Sequence, residues 1–128
     1  MIRRESLSLL LFLSLAAPAL AAGPPPLPPP PTPADLVNQA RAAQARGEND
    51  LAVVLAQSAI VADPAKPSSY DALGDIYAAE SQPEFARNFY DKALEIDPAD
   101  ADATKAITAL DHAGDTRKAD ASDSGAKP

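Results

Sequence analysis

Apolar residues in the middle of the chain recur at the spacing of helix faces. One stripe has the spacing i, i+3, i+6, i+7 and comprises Tyr70, Leu73, Ile76 and Tyr77. After a break at 81–83, a second stripe comprises Phe85, Ala86, Phe89, Tyr90, Ala93 and Leu94. Pro83 suits the first turn of a helix, and Asp97 before Pro98 ends one, because proline disfavours the α conformation in its predecessor. The pattern predicts two consecutive helices, with Ser68 or Ser69 capping the first.

The preceding segment follows the same plan. Helices are predicted from about residue 35 to 46 and from about 50 to 62, with a turn at 47–49 and a stop at 63–64. Aligning residues 33–66 with 67–100 gives identical pairs at Pro33/Pro67, Ala45/Ala79, Ala52/Ala86, Ala59/Ala93, Asp63/Asp97, Pro64/Pro98 and Ala65/Ala99. A 34-residue period predicts a solenoid, in which each helical pair buries its apolar face on its neighbour.

Residues 101–113 predict one further helix in the same register. Asp102 is placed to cap it, Ile107 and Leu110 give it a thin apolar stripe, and Gly114 can end it. The helix is mostly polar or small, as a terminal capping helix requires. Residues 115–128 are small, charged and without periodicity, which predicts a disordered tail. The folded domain is therefore expected to span residues 34–114.

The second unit resembles the tetratricopeptide repeat. That pattern is W-x2-L-G-x2-Y, followed by A-x3-F, a further alanine and a proline. Here Tyr70 takes the place of the tryptophan, and the other matching positions are Leu73, Gly74, Tyr77, Ala86, Tyr90, Ala93 and Pro98. The first unit carries fewer of these residues and is supported by its 34-residue register. The resemblance implies an all-α fold: a short α-solenoid of two helix-turn-helix repeats and a C-terminal capping helix.

The resemblance also implies where a partner would bind. In this family the first helix of each pair lines a concave groove, and here the matching positions are Val37, Asn38, Arg41, Gln44, Asp71, Asp75, Ala78 and Lys105, with His112 further along. Asp71 and Asp75 are four apart and share a helix face, which would favour a basic or amide-rich segment. The alternative is a solvated face in which Arg41 and Lys105 pair with these carboxylates.

The N-terminus has the pattern of a secretory signal. Arg3 and Arg4 precede an apolar run at 7–15, and Ala19 and Ala21, on either side of Leu20, supply small residues where signal peptidase needs them. We expect a signal peptide at 1–22, cleaved after Ala21 or, as second choice, after Ala22. The expected location is the periplasm of a Gram-negative bacterium, with secretion also open. An uncleaved signal would instead hold the chain at the membrane.

A proline-rich spacer at 23–33 follows the signal. Residues 24–33 read PPPLPPPPTP, and proline fixes φ and donates no backbone hydrogen bond, so an extended polyproline II rod is expected. At about 3.1 Å per residue it would reach roughly 30 Å. Its expected role is that of a stiff spacer, and the alternative is a ligand for an aromatic-lined groove.

The composition limits which binding sites and activities the chain can have. The chain has 128 residues, no cysteine and a net charge of −7, so it offers no disulfide or thiolate metal site, and nucleic acid is an unfavourable partner. We expect no cofactor and no enzymatic activity, because His112 is the single histidine and nucleophilic catalysis needs a base beside a nucleophile. The group of Asp97, Asp100, Asp102 and Thr104 is weakly similar to a calcium loop. Lys105 stands where such a loop has glycine and Asp111 where it has its final glutamate, so helix capping explains these aspartates better.

The expected function is a protein-interaction module, exported from the cytoplasm, that binds a protein or peptide segment in its groove. The alternative is a structural subunit whose repeats stack on a larger assembly or on a second copy. With only two repeats the domain should be marginally stable, because three are usually needed, and a homo-oligomer or a permanent partner would help it.

Overall fold

In a computed structural model that describes residues 23–123, the chain is entirely helical. Its elements are α1 (Pro33–Ala45), α2 (Asn49–Ala62), α3 (Pro67–Ala79), α4 (Pro83–Ile96) and α5 (Ala101–Asp123). The described range contains no strand, which confirms the prediction of an all-α fold. The predicted signal peptide at 1–22 and the end of the predicted tail, 124–128, lie outside the described residues.

The bounds of the helices recur with the same period as the aligned sequence. Helices α1, α3 and α5 begin at Pro33, Pro67 and Ala101, and α2 and α4 have the same offset at both ends. The turns between the paired helices also correspond, since Gly47 has φ 78° and Ser81 has φ 60°. A residue in the left-handed region therefore reverses the chain at the same place in both pairs.

Three helix starts differ in detail from the sequence expectation. Thr32 begins α1 with a capping box, in which its hydroxyl and backbone exchange hydrogen bonds with Asp35. Lys66 precedes α3 without a side-chain cap, so neither Ser68 nor Ser69 caps that helix. Asp100 caps α5 in place of Asp102, because its Oδ1 accepts from the backbone N–H groups of residues 102 and 103.

Helix α5 is longer than predicted. It continues through Gly114 to Asp123, so the expected stop at Gly114 and the expected disorder of 115–123 are both wrong. A glycine ends a helix by adopting a left-handed φ, and Gly114 does not adopt one. Residues 111–123 are exposed, so this part of α5 is an extension rather than part of the core.

The core is built around α3, which packs against each of the other four helices. One buried cluster joins α1, α2 and α3, and a second joins α4 and α5, with Tyr77 packed against both. Most of the fully buried apolar residues are alanines, which lets the helix backbones approach closely. Leu73 and Ile76 on α3 are the largest of the completely buried side chains.

Gly74 on α3 lies directly against the ring of Tyr90 on α4. A Cβ added at Gly74 would stand 2.5 Å from Tyr90 Cε1, well inside van der Waals contact. The other residues of the predicted repeat-signature set divide by burial. Leu73, Ala86 and Ala93 are buried and Tyr70 and Tyr77 half-buried, whereas Pro98 is exposed in the turn between α4 and α5.

The proline-rich segment precedes the helices as an exposed stretch without regular secondary structure at 23–32. Pro33, predicted as its last residue, is instead the first residue of α1, where a missing N–H costs nothing. No helix among residues 23–123 is long and apolar enough to cross a membrane.

Candidate functional site

A cleft of about 430 Å³ lies where α1, α3 and α5 face one another. Its lining comprises Arg41, Asp75, Asp102, Lys105, Ala106 and Ala109. The first helices of the two predicted pairs thus meet the predicted capping helix, and Arg41, Asp75 and Ala109 occupy the same position of the 34-residue period in successive helices. The lining has a charged residue from each of the three helices and two alanines from α5, Ala106 and Ala109.

Asp75 lines this cleft and is fixed by two hydrogen bonds. Its Oδ1 accepts a hydrogen bond of 2.8 Å from the Tyr90 hydroxyl on α4, and its backbone carbonyl accepts one of 3.0 Å from Gln44 on α1. Burial raises the pKa of Tyr90, and the hydrogen bond to the Asp75 carboxylate raises it further, so the phenol keeps its proton and donates. Asp75 therefore ties α1, α3 and α4 together while lining the cleft.

Two cationic side chains stand at the exposed rim of the cleft. Arg41 and Lys105 are both exposed, and neither forms an ion pair with another residue of the described range. The alternative expectation of internal pairing with Asp71 and Asp75 is thus not what the geometry shows. Their hydrogen-bond donors are available to a ligand that enters the cleft.

Asp71 does not line the cleft as predicted. It is only 4% exposed, and its Oδ1 has no donor among the described residues. Burial raises its pKa to about 7, with the neighbouring Asp100, Asp75 and Asp102 adding to the effect. Sequence spacing placed Asp71 and Asp75 on one helix face, but the start of α5 covers the first and leaves the second open.

The remaining predicted groove residues are scattered. Asn38 is exposed but outside the cleft lining, and Gln44 is engaged with α3. Val37 is buried in the core, which corrects its predicted place in the groove. Ala78 lines a different cleft, and His112 is exposed on α5.

Three residues of α5 that line the cleft were missed as binding residues: Asp102, Ala106 and Ala109. With Lys105 they have the spacing i, i+3, i+4, i+7 of a single helix face. That signal is readable in the sequence, because Ala109 follows Asp75 by one 34-residue period. The sequence analysis did not use this signal, because it treats Asp102 as the N-cap of α5 and treats α5 mainly as a helix that covers the core.

A second cleft, of about 730 Å³, lies between the start of α4 and the exposed half of α5. Ala78, Ser81 and Pro83 form one wall, and Leu110 and Gly114 belong to the other. An ion pair between Arg87 and Asp111 closes one side of it. This cleft exists because α5 continues past Gly114.

Two aspartates near the start of α5, Asp97 and Asp100, accept hydrogen bonds from backbone N–H groups. Asp97 Oδ1 accepts from the N–H of Ala99, Asp100 Oδ1 caps α5, and the Thr104 hydroxyl donates to the carbonyl of Asp100. Between residues 23 and 123 no group of three or more acidic, histidine or cysteine side chains is arranged to hold a metal ion. The carboxylates of Asp97 and Asp100 are therefore structural groups of the helix junction.

No protein-family model matches the chain, and no curated protein matches it at a significant level of similarity.

Proposed function

We propose that the chain is a short tetratricopeptide-like interaction module that binds a segment of another protein in the cleft between α1, α3 and α5. The observation that carries this proposal is the cleft itself, which is lined from all three of these helices and rimmed by Arg41 and Lys105, neither of which forms an ion pair within residues 23–123. Further support comes from the helix bounds, which recur with a 34-residue period. Such repeats pair helices into units whose first helices line a common surface.

The charges of the cleft favour a segment that brings acceptors to its rim. Arg41 and Lys105 offer donors, and Asp102 is the one exposed carboxylate of the lining, whereas the Asp75 carboxylate already accepts from Tyr90 and Asp71 is buried. The expectation of a basic ligand rested on two exposed carboxylates four residues apart, and only one of them is in the cleft. The proposed segment therefore presents carboxylate or carbonyl oxygens to the two cations, which bind such groups well.

Charge reversal at the rim tests the proposal. The variant R41E/K105E is compared with R46E/K92E, which changes the same residue types at exposed positions outside the cleft. Arg46 and Lys92 form surface ion pairs, whose loss costs little stability. Envelope proteins captured from an extract by the immobilised wild-type chain should also be captured by R46E/K92E and lost with R41E/K105E.

Two outcomes count against the proposal, provided that circular dichroism shows each protein to be folded. One is that the wild-type chain captures nothing. The other is that the two double variants capture the same proteins, which would place the binding surface outside the cleft.

A second candidate function, assembly with a further copy, is favoured by the outer face of α2. Leu51, Val54 and Val61 lie along one row of that face and are 45%, 57% and 84% exposed. Ser58 lies in the same row, and its hydroxyl already donates to the carbonyl of Val54 at 2.8 Å. The row is therefore apolar or internally satisfied along its length, as an interface core would be.

The corresponding positions of α4 are different. One 34-residue period on from Val54, Ser58 and Val61 stand Asn88, Lys92 and Glu95, which are polar and exposed or half-exposed. The fourth position of the row differs less, since Phe85, one period on from Leu51, is apolar and 56% exposed. A continuous apolar row is thus a property of α2 and not of the repeat. Sedimentation equilibrium tests this candidate: a mass that rises with concentration and returns to the monomer in V54E/V61E supports it, and a concentration-independent monomer excludes it.

Export to the periplasm remains part of the proposal and rests on the sequence pattern of residues 1–22. N-terminal sequencing of the native protein tests it. A mature chain that begins at Ala22 or Gly23 supports export with cleavage, and an intact Met1 would favour a chain retained in the cytoplasm or at the membrane.

A further inference from the structure

Helix α2 is the least charged of the five helices. Its 14 residues include a single charged side chain, Asp50, whereas α4 has the same length and carries five. A helix that is apolar on its outer side as well as its inner side is normally covered on both. Leu51, Val54 and Val61 nevertheless lie exposed on the outer side of α2. Within residues 23–123, this side of α2 therefore has no partner.

The exposed row on α2 has a symmetric spacing. Its members Leu51, Val54, Ser58 and Val61 are separated by three, four and three residues. This is the spacing of the core positions of a two-helix coiled coil. The spacing reads the same in both directions, so a twofold axis near residue 56 brings Leu51 of one copy to Val61 of a second copy. The same axis brings Val54 of each copy to Ser58 of the other.

We propose that two copies of the chain associate by antiparallel packing of their α2 helices about this axis. The inference rests on the second candidate function, assembly with a further copy, and adds the orientation and the register of that assembly. A contact that a twofold axis maps onto itself closes at two copies. The middle of the pair buries no unsatisfied hydroxyl, because Ser58 already donates to the carbonyl of Val54 at 2.8 Å.

The distribution of charge favours a second α2 as the occupant and the antiparallel orientation. The two copies of Asp50 stand at opposite ends of an antiparallel pair, whereas a parallel pair would place them at the same end, where they repel. Pairing of α2 with α4 of another copy would set the row against Lys92 and Glu95. The other large apolar side chains that are exposed in the described range, Leu27 and Phe85, belong to two different elements and form no second row.

The pair should be weak and should leave the cleft free. Two helices of 14 residues bury less than the roughly 1,600 Å² of a standard interface, so association is expected at micromolar or higher concentrations of the chain. None of the residues that line the cleft between α1, α3 and α5 lies on α2. Loss of the pair is therefore not expected to remove binding in the cleft.

Two charge variants of the full chain test the orientation. L51K/V61E and L51K/V61K change the same exposed positions, which lie about 15 Å apart along one helix and so do not pair with each other. In an antiparallel pair the new lysine of L51K/V61E meets the new glutamate of the other copy, whereas in L51K/V61K two lysines meet. Sedimentation equilibrium should give L51K/V61E a dissociation constant at least about tenfold lower.

Disulfide crosslinking tests the register without introducing charge. The chain has no cysteine, so L51C and V61C each supply a single thiol. On mild oxidation, a mixture of L51C and V61C chains should form a disulfide between copies, and L51C alone should not, because antiparallel packing keeps its two thiols apart.

The outcomes separate this inference from the candidate function on which it rests. A wild-type chain that stays monomeric at all concentrations overturns both. A wild-type dimer in which L51C crosslinks with itself, in which the mixture forms no disulfide, or in which both charge variants dimerise equally keeps the candidate function and overturns the antiparallel pair.

Discussion

Gly74 and Tyr90 show how a single residue position fixes the distance between two helices. Gly74 has a conformation open to any residue, so glycine is needed there for space, because the ring of Tyr90 occupies the place of a Cβ. The sequence indicated this through the resemblance to a repeat that has glycine at this position. The burial of Asp71 could not be foreseen in the same way, because it depends on α5, which is remote in sequence.

Substitution of Gly74 tests this close contact. Gly74→Ala should lower the free energy of unfolding by about 1–3 kcal/mol, because the added methyl group forces Tyr90 away from α3 and from its hydrogen bond to Asp75. Gly114→Ala is the matched control, since nothing lies within 4 Å of its Cβ position and alanine favours the helix. It should be neutral or stabilise by about 0.5–1 kcal/mol. Urea unfolding measures both, and equal effects would contradict the close contact.

Ser69 is a buried residue whose hydroxyl has no partner among the described residues. Removing an unsatisfied buried hydroxyl relieves its desolvation cost, so Ser69→Ala should raise the free energy of unfolding by about 1 kcal/mol. The neighbouring half-buried Ser68, changed to alanine, should have a smaller effect. A loss of stability in Ser69→Ala, measured by thermal melting, would show that the hydroxyl has a partner in solution.

At the scale of the elements, local sequence predicted the helices well and their ends less well. Apolar periodicity, with the 34-residue register, Pro83 and the two Asp-Pro stops, was enough to place the first four helices, because the core-facing residues of each recur at helical spacing. The end of α5 was missed, because residues 115–123 have no apolar stripe and continue the helix without support from the core. The caps were missed where a backbone turn at Lys66, or an aspartate earlier than the expected one, begins the helix.

Truncation of α5 separates its packed half from its exposed extension. A chain that ends at Ala113 should keep the wild-type melting temperature within about 2 °C, because residues 114–123 bury nothing and surface changes usually have small effects. A chain that ends at Asp100 should melt far lower, because it loses the completely buried Ala103 and uncovers Tyr90 and Ala93. A large destabilisation by the first truncation would mean that the extension contacts the domain in solution.

At the scale of the whole molecule, five helices are joined by a core made largely of alanine. Such a core buries little apolar surface per residue, and α3 is the one helix that contacts all the others in the described range. Because the alanines bury so little, the few contacts between large side chains matter more for stability. One of them is the stacking of Tyr77 on Phe89, with ring centroids 5.4 Å apart. The sequence predicted the order of the helices, but not which side chains of α1, α3 and α5 would meet in a cleft.

The cleft is formed by side chains from three separate helices, so no single segment of the sequence predicts it. Arg41, Asp75 and Lys105 were named from their positions in successive first helices, and these three do meet. Asn38, Gln44 and Asp71 were named by the same reasoning and do not line it. Gln44 is bound to the backbone of α3, and the start of α5 covers Asp71. Helix faces are set by local spacing, whereas access to solvent is set by what packs on top of them.

Site-specific photo-crosslinking in cells tests the central claim, that the cleft between α1, α3 and α5 binds another protein. A photoreactive amino acid is placed at Ala109 in the cleft or at Ala119, which is also exposed and lies on the extension of α5. We predict a discrete crosslinked adduct from position 109, none from 119, and loss of the adduct in the R41E/K105E background. Equal adducts from both positions, or none from position 109 in a folded protein, would contradict the claim.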